Sequence, residues 1–455
     1  MRRLRVLAIA GPLLLWGCAR PSSDAGPYTV SVPYDLASLD PGERNRLSDF
    51  SLLSNLYEPL VVTDANLSPR PALATRWRNP DALTWLFELR PGVRFHDGSS
   101  LTAADVVWSF ERLRDEPALE LAAHVSAIRS VRALDEGTVE IRTAAPVGIL
   151  LNKLRFVLVV RRGEGGASLR SRVNGTGPYR LEGFEKGREL ALRRNDAYWG
   201  ASPSLERVRV SLNRSPREAL GDLLAGRSLF VQANARETEE ALRGRGDVLL
   251  RRNGSVSVKF LFLALEREAA DDVAGGRNPF RDVRVRRALS LAIDRAELVR
   301  RLSAPATPAN QLVTPAIFGH DPARGPLPYD PAAARRLLAE AGWPSGFELE
   351  FPARGLFAEA ASIVAEMLGR VGIRAHVRAL TEAEWFPAMA SGRLTMTVSR
   401  FGCPTGDASD LLESALQTRV AGTKAGLNNY SGYSSRRLDE LIGLAGRTLE
   451  MRRRK

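Results

Sequence analysis

LTWLFELRPGVRFHDGSSLTAADVVWSFERL, residues 83–113, holds three local signals in one unbroken run. Trp85, Phe87 and Leu89 alternate with Thr84, Leu86, Glu88 and Arg90, the period of two expected of a strand with one aromatic face. Pro91-Gly92 supplies a turn, Val93 and Phe95 predict a short second strand, and Asp97-Gly98 closes it with the residue pair that most readily takes positive φ. A helix follows. Thr102 is placed to cap it, Asp105 to reach back to the Thr102 backbone, and Val106, Val107, Phe110 and Leu113 to form its buried stripe. On these grounds alone the stretch is a hairpin followed by an amphipathic helix.

Composition bounds what that unit can belong to. At 455 residues the chain exceeds one compact core and divides into two or three lobes. With 44% hydrophobic and 26% charged residues it is an ordinary globular protein. A formal net charge of +13 would suit nucleic acid or an anionic membrane surface. The cations are scattered arginines without interleaved aromatics, however, so the charge reads as a solvated surface and nucleic acid is not an expected partner.

The N-terminus sets the compartment. Arg2, Arg3 and Arg5 form a basic region and Val6 to Trp16 an apolar one, too short to span a bilayer but suited to a signal peptide. Leu15-Trp16-Gly17-Cys18 follows and resembles the lipobox of bacterial lipoproteins, with Trp16 bulkier than the small residue usual there. That likeness implies lipidation of Cys18, a signal peptide over residues 1–18 and a flexible tether over residues 19–27, so that acyl chains anchor the protein to the membrane. The alternative is plain secretion with Cys18 removed. Cys403 is the only other cysteine, so processing leaves no intramolecular disulfide, and two cysteines cannot make a structural zinc site unaided.

Further motifs follow in order. Tyr28 to Val32 alternates like a first strand, and Ser38-Leu39-Asp40-Pro41 breaks it. Leu52 to Val62, which includes Asn55-Leu56-Tyr57-Glu58-Pro59-Leu60-Val61, reads as a helix that stops at Pro59 and enters a strand. Pro71-Ala72-Leu73-Ala74 and Trp77 precede the hairpin, and Val131 to Arg142 predicts a strand pair. Gly175-Thr176-Gly177-Pro178-Tyr179 is not a phosphate loop: Arg180 stands where a dinucleotide fingerprint needs glycine, and a strand follows where a P-loop needs a helix. Together with Asn195-Asp196-Ala197-Tyr198-Trp199 it reads as turn and strand that contact no ligand.

The order F-x-L-R-x-G-V-x-F-H-D-G, L-T-A-x-D-V and S-x-x-R in the opening stretch, with the flanking motifs from about Tyr28 to Leu444, resembles the solute-binding proteins of peptide-type ABC importers, extracytoplasmic family 5. The resemblance implies an α/β fold of the periplasmic-binding-protein type (type II, cluster C), two α/β lobes with an additional lobe inserted in the first. Lobe I is expected over residues 28–57 and 172–258, the inserted lobe II over 58–171, and lobe III over 259–455. The family continues beyond the helix from Leu438 with a segment that returns to lobe I, and that return is expected to be missing here.

Within the third lobe, Val256 to Leu265 is an apolar run that predicts a strand covered on both faces, and the resemblance makes it a hinge strand. Asp282 to Leu302 reads as helical, with Val285, Ala288, Leu289, Ala292 and Ile293 at helical spacing. Asp330-Pro331 starts another helix, Leu337, Leu338 and Ala341 line it, and Gly342 ends it. Phe347 to Phe351, Leu356 to Gly369 and Ile373 to Leu380 form a βαβ unit with parallel strands. A helix over Glu382 to Ala390 and a strand over Leu394 to Ser399 are expected to repeat the pattern.

In open α/β sheets, ligands sit beyond the carboxyl ends of the strands. The expected loop after Ser399 carries Arg400, Phe401, Gly402, Cys403, Pro404, Thr405, Gly406, Asp407, Ala408, Ser409 and Asp410, an arginine and two carboxylates at that place. The resemblance implies that Asp407 pairs with a ligand's α-ammonium, that Arg400 meets its carboxylate end and that Phe401 lines the site, through charge-assisted bonds in a water-excluded cleft. The loop departs from the family in lacking Trp and in carrying Leu411 where many members have Pro. A second role is open to Asp407, capping the helix that follows. Gln232 and Asn234, after Leu229 to Val231, correspond more loosely to ligand-facing positions; ordinary turn polarity is their other reading.

No G-x-S-x-G or H-E-x-x-H motif occurs. The four histidines, His96, His124, His320 and His376, are not paired at ligand spacing and read as surface or turn residues. The expectation is therefore a non-enzymatic, monomeric, lipid-anchored protein outside the cytoplasm, without cofactor or metal. It captures a short peptide and delivers it to the transmembrane subunits of an ABC permease. Nickel chelate, haem and oligosaccharide are alternative ligands, and a tethered receptor or non-transporting paralogue is the alternative of another class.

Overall fold

The computed structural model describes residues 27–232, 236–251, 254–421 and 425–454. The signal peptide, Cys18 and Asn234 lie outside them.

The opening strand, β1 (Tyr28–Ser31), joins a sheet whose other strands begin only at Tyr179 and end at Val231. Between come a short ribbon, β2 (Val61–Thr63) and β3 (Pro69–Pro71), and an antiparallel sheet of β4 (Ala74–Arg78), β5 (Thr84–Leu89), β6 (Ile128–Ala133) and β7 (Thr138–Thr143) in the order β4-β5-β7-β6. β8 (Tyr179–Glu185), β9 (Glu189–Arg194) and β10 (Arg207–Ser211) then form a meander. β1 runs parallel to β10 on one side and to the two-residue β11 (Phe230–Val231) on the other. Beyond them, β12 (Ser257–Leu263) pairs antiparallel with β15 (Met396–Gly402). β13 (Glu348–Arg354) pairs parallel with β14 (Arg374–Leu380) through the helix Ala358–Gly369.

Three large hydrophobic cores go with these sheets. The first contains Leu36, Leu56, Tyr57, Leu190 and Leu192, the second Phe87, Val106, Phe110, Val139 and Ile141, and the third Val285, Leu289, Phe351, Met367 and Met396. Each fully buried aliphatic or aromatic side chain contributes about 1.5–3 kcal/mol, so separate cores of this size are a sufficient reason for separate bodies.

The 83–113 stretch builds the second core as its periodicity predicts. Trp85, Phe87 and Leu89 are buried, while Leu86 and Glu88 are half-buried. Asp105 accepts from both the backbone N–H (2.8 Å) and the hydroxyl (2.9 Å) of Thr102 at the start of the helix Ala103–Asp115. Val106, Phe110 and Leu113 face the core and Val107 only its edge. The expected second strand is reduced to one bridge, Arg94 to Ser100. The turns at Gly92 (φ 76°) and Gly98 (φ 89°) lie too close together for a ladder, although Val93 and Phe95 are buried all the same.

Other expectations change in register. The helix placed over Leu52 to Val62 is Leu47–Leu53, ending before Asn55. The helix of Asp282 to Leu302 breaks at Ile293-Asp294 into Val283–Ala292 and Arg295–Arg301, with Asp294 capping the second through the Glu297 N–H. β12 is not covered on both faces: within it only Val258 and Phe262 are buried. The βαβ pattern does not repeat, since β15 turns antiparallel to β12 instead of extending the parallel pair.

The family-like motifs meet one another. Asp40 of S-L-D-P accepts the Gly42 N–H (2.9 Å) and forms a buried ion pair with Arg112 of S-x-x-R. Glu58 accepts from Tyr198 (2.7 Å), Trp199 (2.8 Å) and Thr176 (2.9 Å). Burial pushes its pKa up, against those three bonds. His96 is a buried joint, not a turn residue: its Nε2 lies 3.1 Å from the Gly177 carbonyl and its Nδ1 accepts from the Gly175 N–H at 3.3 Å. His124 is also buried, 3.1 Å from the Asn45 amide oxygen. A Cβ on Gly175 would stand 1.9 Å from the Leu56 carbonyl, so only glycine fits where the chain re-enters the first sheet.

Candidate functional site

β15 is hydrophobic and buried from Met396 through Ser399 and becomes polar at its carboxyl end. Arg400 and Phe401 therefore belong to the strand, which runs to Gly402, and not to the loop after it. Arg400 stands opposite Lys259 of β12 in the antiparallel register, and both are exposed. On the neighbouring β13, Arg354 is the last residue. The Arg354 guanidinium and the Lys259 ammonium approach the same ring, Phe357, at 4.7 and 5.9 Å. Arg354 also pairs with Glu382 at 3.1 Å and packs on Trp385. Burial and then the Arg400 charge hold Lys259 below the usual ammonium range. Burial holds Arg354 below the usual guanidinium range, with Glu382 opposing and Arg400 adding to the effect. Three cations thus stand near one strand end, with Glu382 paired to Arg354 and Glu359 near Lys259, an excess of positive charge suited to an incoming anion.

Asp407 lies seven residues past Arg400 and is buried. It caps the helix Ala408–Ala415, its Oδ1 accepting the Ser409 N–H at 3.0 Å. Its Oδ2 faces the side chain of Arg454, with which it forms an ion pair that is not an aligned hydrogen bond. Phe318 bridges to the Asp407 backbone, and its ring lies 5.1 Å from the Arg454 guanidinium carbon. Phe401 stacks on Phe260, with centroids 5.2 Å apart. Cys403 is buried, its thiol donating to the Asp407 carbonyl at 2.9 Å, and burial pushes its pKa up to about 11.

The loop between β15 and this helix is met from the side of the second core. Asn152 donates to the Thr405 carbonyl at 2.7 Å, and Arg155 donates to Thr63 (2.8 Å) and to the Pro404 carbonyl (3.4 Å). Leu67 packs against the apolar cluster of Val313, Ile317, Cys403, Ala408 and Leu411. Its own backbone is left-handed (φ 60°), held there by Asp64, which accepts the Asn66 and Ser68 N–H groups. A small cavity of about 40 Å³ lies beside these contacts, lined by Phe50, Leu53, Leu121, Phe156 and Pro404. Arg155 lies over both of its phenylalanines, at 5.5 and 4.7 Å.

Of the residues singled out from the sequence, Phe401 packs on the apolar cluster that contains Ala408, next to Asp407, whereas Arg400 projects from the other face of the strand, opposite Lys259. Gln232 is exposed beyond the edge strand β11, its backbone N–H bonded to the Ser31 carbonyl, and among the described residues no contact ties it to this loop. Lys259, Arg354, Arg155, Asn152 and Arg454 escaped the sequence reading. Arg354 carried a usable signal, because it lies just past the carboxyl end of the strand expected over Phe347 to Phe351. Lys259 required the β12–β15 register, and Arg155 required knowledge of which body faces the loop. Among the described residues no group of three or more His, Cys, Asp or Glu side chains could hold a metal ion, and no helix is long and apolar enough to cross a membrane.

The fold is that of periplasmic binding proteins of ABC importers. DppA of Helicobacter pylori, solved with the peptide STSA, matches with a TM-score of 0.75 at 23% identity, over 94% of this chain and 88% of that one. NikZ of Campylobacter jejuni, solved with Ni(L-His), matches at 0.78 and 20%, over 94% and 88%. CtaP of Listeria monocytogenes, an ABC transporter substrate-binding protein, matches at 0.79 and 18%, over 95% and 88%. Residues 68–422 match the family model described as bacterial extracellular solute-binding proteins, family 5 middle, and the chain belongs to that family. The glutathione-binding protein GsiB of Escherichia coli (strain K12) is 26% identical over 466 residues, 98% of this chain and 87% of that protein. The chain is thus a substrate-binding component of an ABC importer, of an extracytoplasmic family that binds small ligands and meets a permease.

Proposed function

We propose that the ligand is a short peptide, held by its charged ends in the cleft beside the carboxyl end of β15. Asp407 receives the α-ammonium, while Arg400, with Lys259 and Arg354, receives the carboxylate end and Phe401 lines the site. The observation that carries this reading is a buried carboxylate in the loop after β15 and a three-cation cluster near the end of that strand, charges of the two signs that match the ends of a zwitterion. Relatives named for glutathione and for a bound peptide support it. The three cores are then lobes I, II and III with the boundaries given above, except that the segment from Gly446 to Arg454 packs on lobe II, and β12 is the hinge strand. The chain is held at the membrane through Cys18, acts as a monomer and catalyses no reaction.

A second reading, a ligand with several carboxylates, has one observation in its favour. Arg155, on the opposite wall, is desolvated and its hydrogen bonds go to neutral oxygens. Native mass spectrometry of the purified protein separates the two. A ladder of peptide masses is expected; a single metal-bearing or polycarboxylate adduct would overturn the peptide assignment.

A further inference from the structure

Arg454 ends the short helix Met451–Arg454 and reaches out of the second body into the third. The segment that carries it is seated on residues 147–150. The Gly148 N–H donates to the Gly446 carbonyl at 2.8 Å, and Leu449 packs against the second core. The fit at Gly148 is close: a Cβ there would lie 2.5 Å from the Thr448 carbonyl and 2.9 Å from Arg454 Nη1. Arg454 Nη1 donates to the Gly148 carbonyl at 2.5 Å, its Nη2 pairs with Asp407, and its side chain is only 2% exposed. One guanidinium therefore spans from a backbone carbonyl of the second body to the buried carboxylate of the third.

We propose that Arg454 is an internal occupant of the cation subsite at Asp407, so that a ligand with a free ammonium binds only by displacing it. The inference rests on the reading of Asp407 as the acceptor of the ligand's ammonium. Asp407 has one oxygen committed to the Ser409 N–H and the other to Arg454. A second cation beside Arg454 would meet like charge at short range in a desolvated place. Displacement is the remaining route, and it adds a cost that falls only on ligands bearing a cation at that end. Arg454 is then the residue that sets how strongly the site prefers free over blocked amino termini. In the absence of ligand it also holds the second body against the third.

Where a competent state is populated at a fraction f, the apparent dissociation constant rises by 1/f. A latch closed for about 90–99% of the time would weaken binding roughly tenfold to a hundredfold. The test is calorimetric titration of the full chain and of R454Q and R454K with tetra-alanine and N-acetyl-tetra-alanine. Circular dichroism and thermal melting serve as checks that each variant is folded. R454Q is expected to bind tetra-alanine at least tenfold more tightly than the unsubstituted chain, with the acetylated peptide unchanged and R454K near the original affinity. The unliganded R454Q should also show a larger radius of gyration by small-angle scattering.

If the unsubstituted chain prefers the free amine but R454Q binds it no more tightly, the latch is wrong and the role of Asp407 stands. If both proteins bind the two peptides equally, or neither peptide at all, the role of Asp407 is wrong and the latch falls with it. An R454Q chain as compact as the original would overturn the latch independently of any ligand.

Discussion

His96 takes a hydrogen bond from a backbone N–H and gives one to a backbone carbonyl, so a single neutral tautomer satisfies both: Nδ1 accepts from Gly175 and Nε2–H donates to Gly177. Protonating Nδ1 would set two donors face to face. Burial accordingly lowers the pKa from 6.5 to about 4. The unfolded chain takes up the proton first, so this group withdraws stability as pH falls from about 6.5 towards 4, by up to about 3 kcal/mol. Glutamine can offer the same acceptor and donor without titrating. Urea unfolding at pH 7.5, 5.5 and 4.5 should show His96→Gln losing less stability on acidification than the unsubstituted chain; equal losses would contradict this role. His96, Asp40, Glu58, Gly175 and Arg112 also explain why the family was legible in the sequence. His96 meets Gly175, Asp40 pairs with Arg112 and Glu58 holds Thr176, Tyr198 and Trp199, so motifs far apart along the chain are tied to one another in space. Asp407 could be singled out because a carboxylate beyond a strand end follows a rule of sheet architecture. Its partner Arg454 could not, because nothing in a run of arginines says which of them is buried.

At the scale of elements, local periodicity located strands and helices well, and pairing was the harder part. The βαβ unit of β13, the helix Ala358–Gly369 and β14 was readable because its contacts are close in sequence. The antiparallel pairing of β12 with β15 joins residues some 140 apart and leaves no local trace, yet it sets Lys259 opposite Arg400. In the loop after β15, Gly406 meets Leu67 of the second body. The glycine has φ +79°, and a Cβ on it would stand 2.5 Å from the Leu67 Cβ. Alanine there would add backbone strain of about 1 kcal/mol and a clash that exists only while the two bodies touch. Gly406→Ala should therefore weaken peptide binding at least tenfold in calorimetry while moving the melting temperature by only a few degrees. An unchanged affinity would mean that this contact is not part of the ligand-bound state.

For the whole molecule, separate cores joined by polar contacts, loops and one buried guanidinium are the physical requirement for rotation about a hinge: the bodies stay intact while the surfaces between them part. A ligand that bridges those surfaces binds the closed form better and shifts the population towards it, by no more than its difference in affinity for the two forms. In the proposed reading the site recognises the ionic ends of the ligand, which leaves side chains between them free to vary. The most direct measurement is calorimetric titration of the full chain with one short peptide in two forms, with its amino terminus free and with it acetylated. The account predicts 1:1 binding of the free form and an affinity for the acetylated form at least tenfold weaker, about 1.4 kcal/mol. Equal affinity for the two would contradict it.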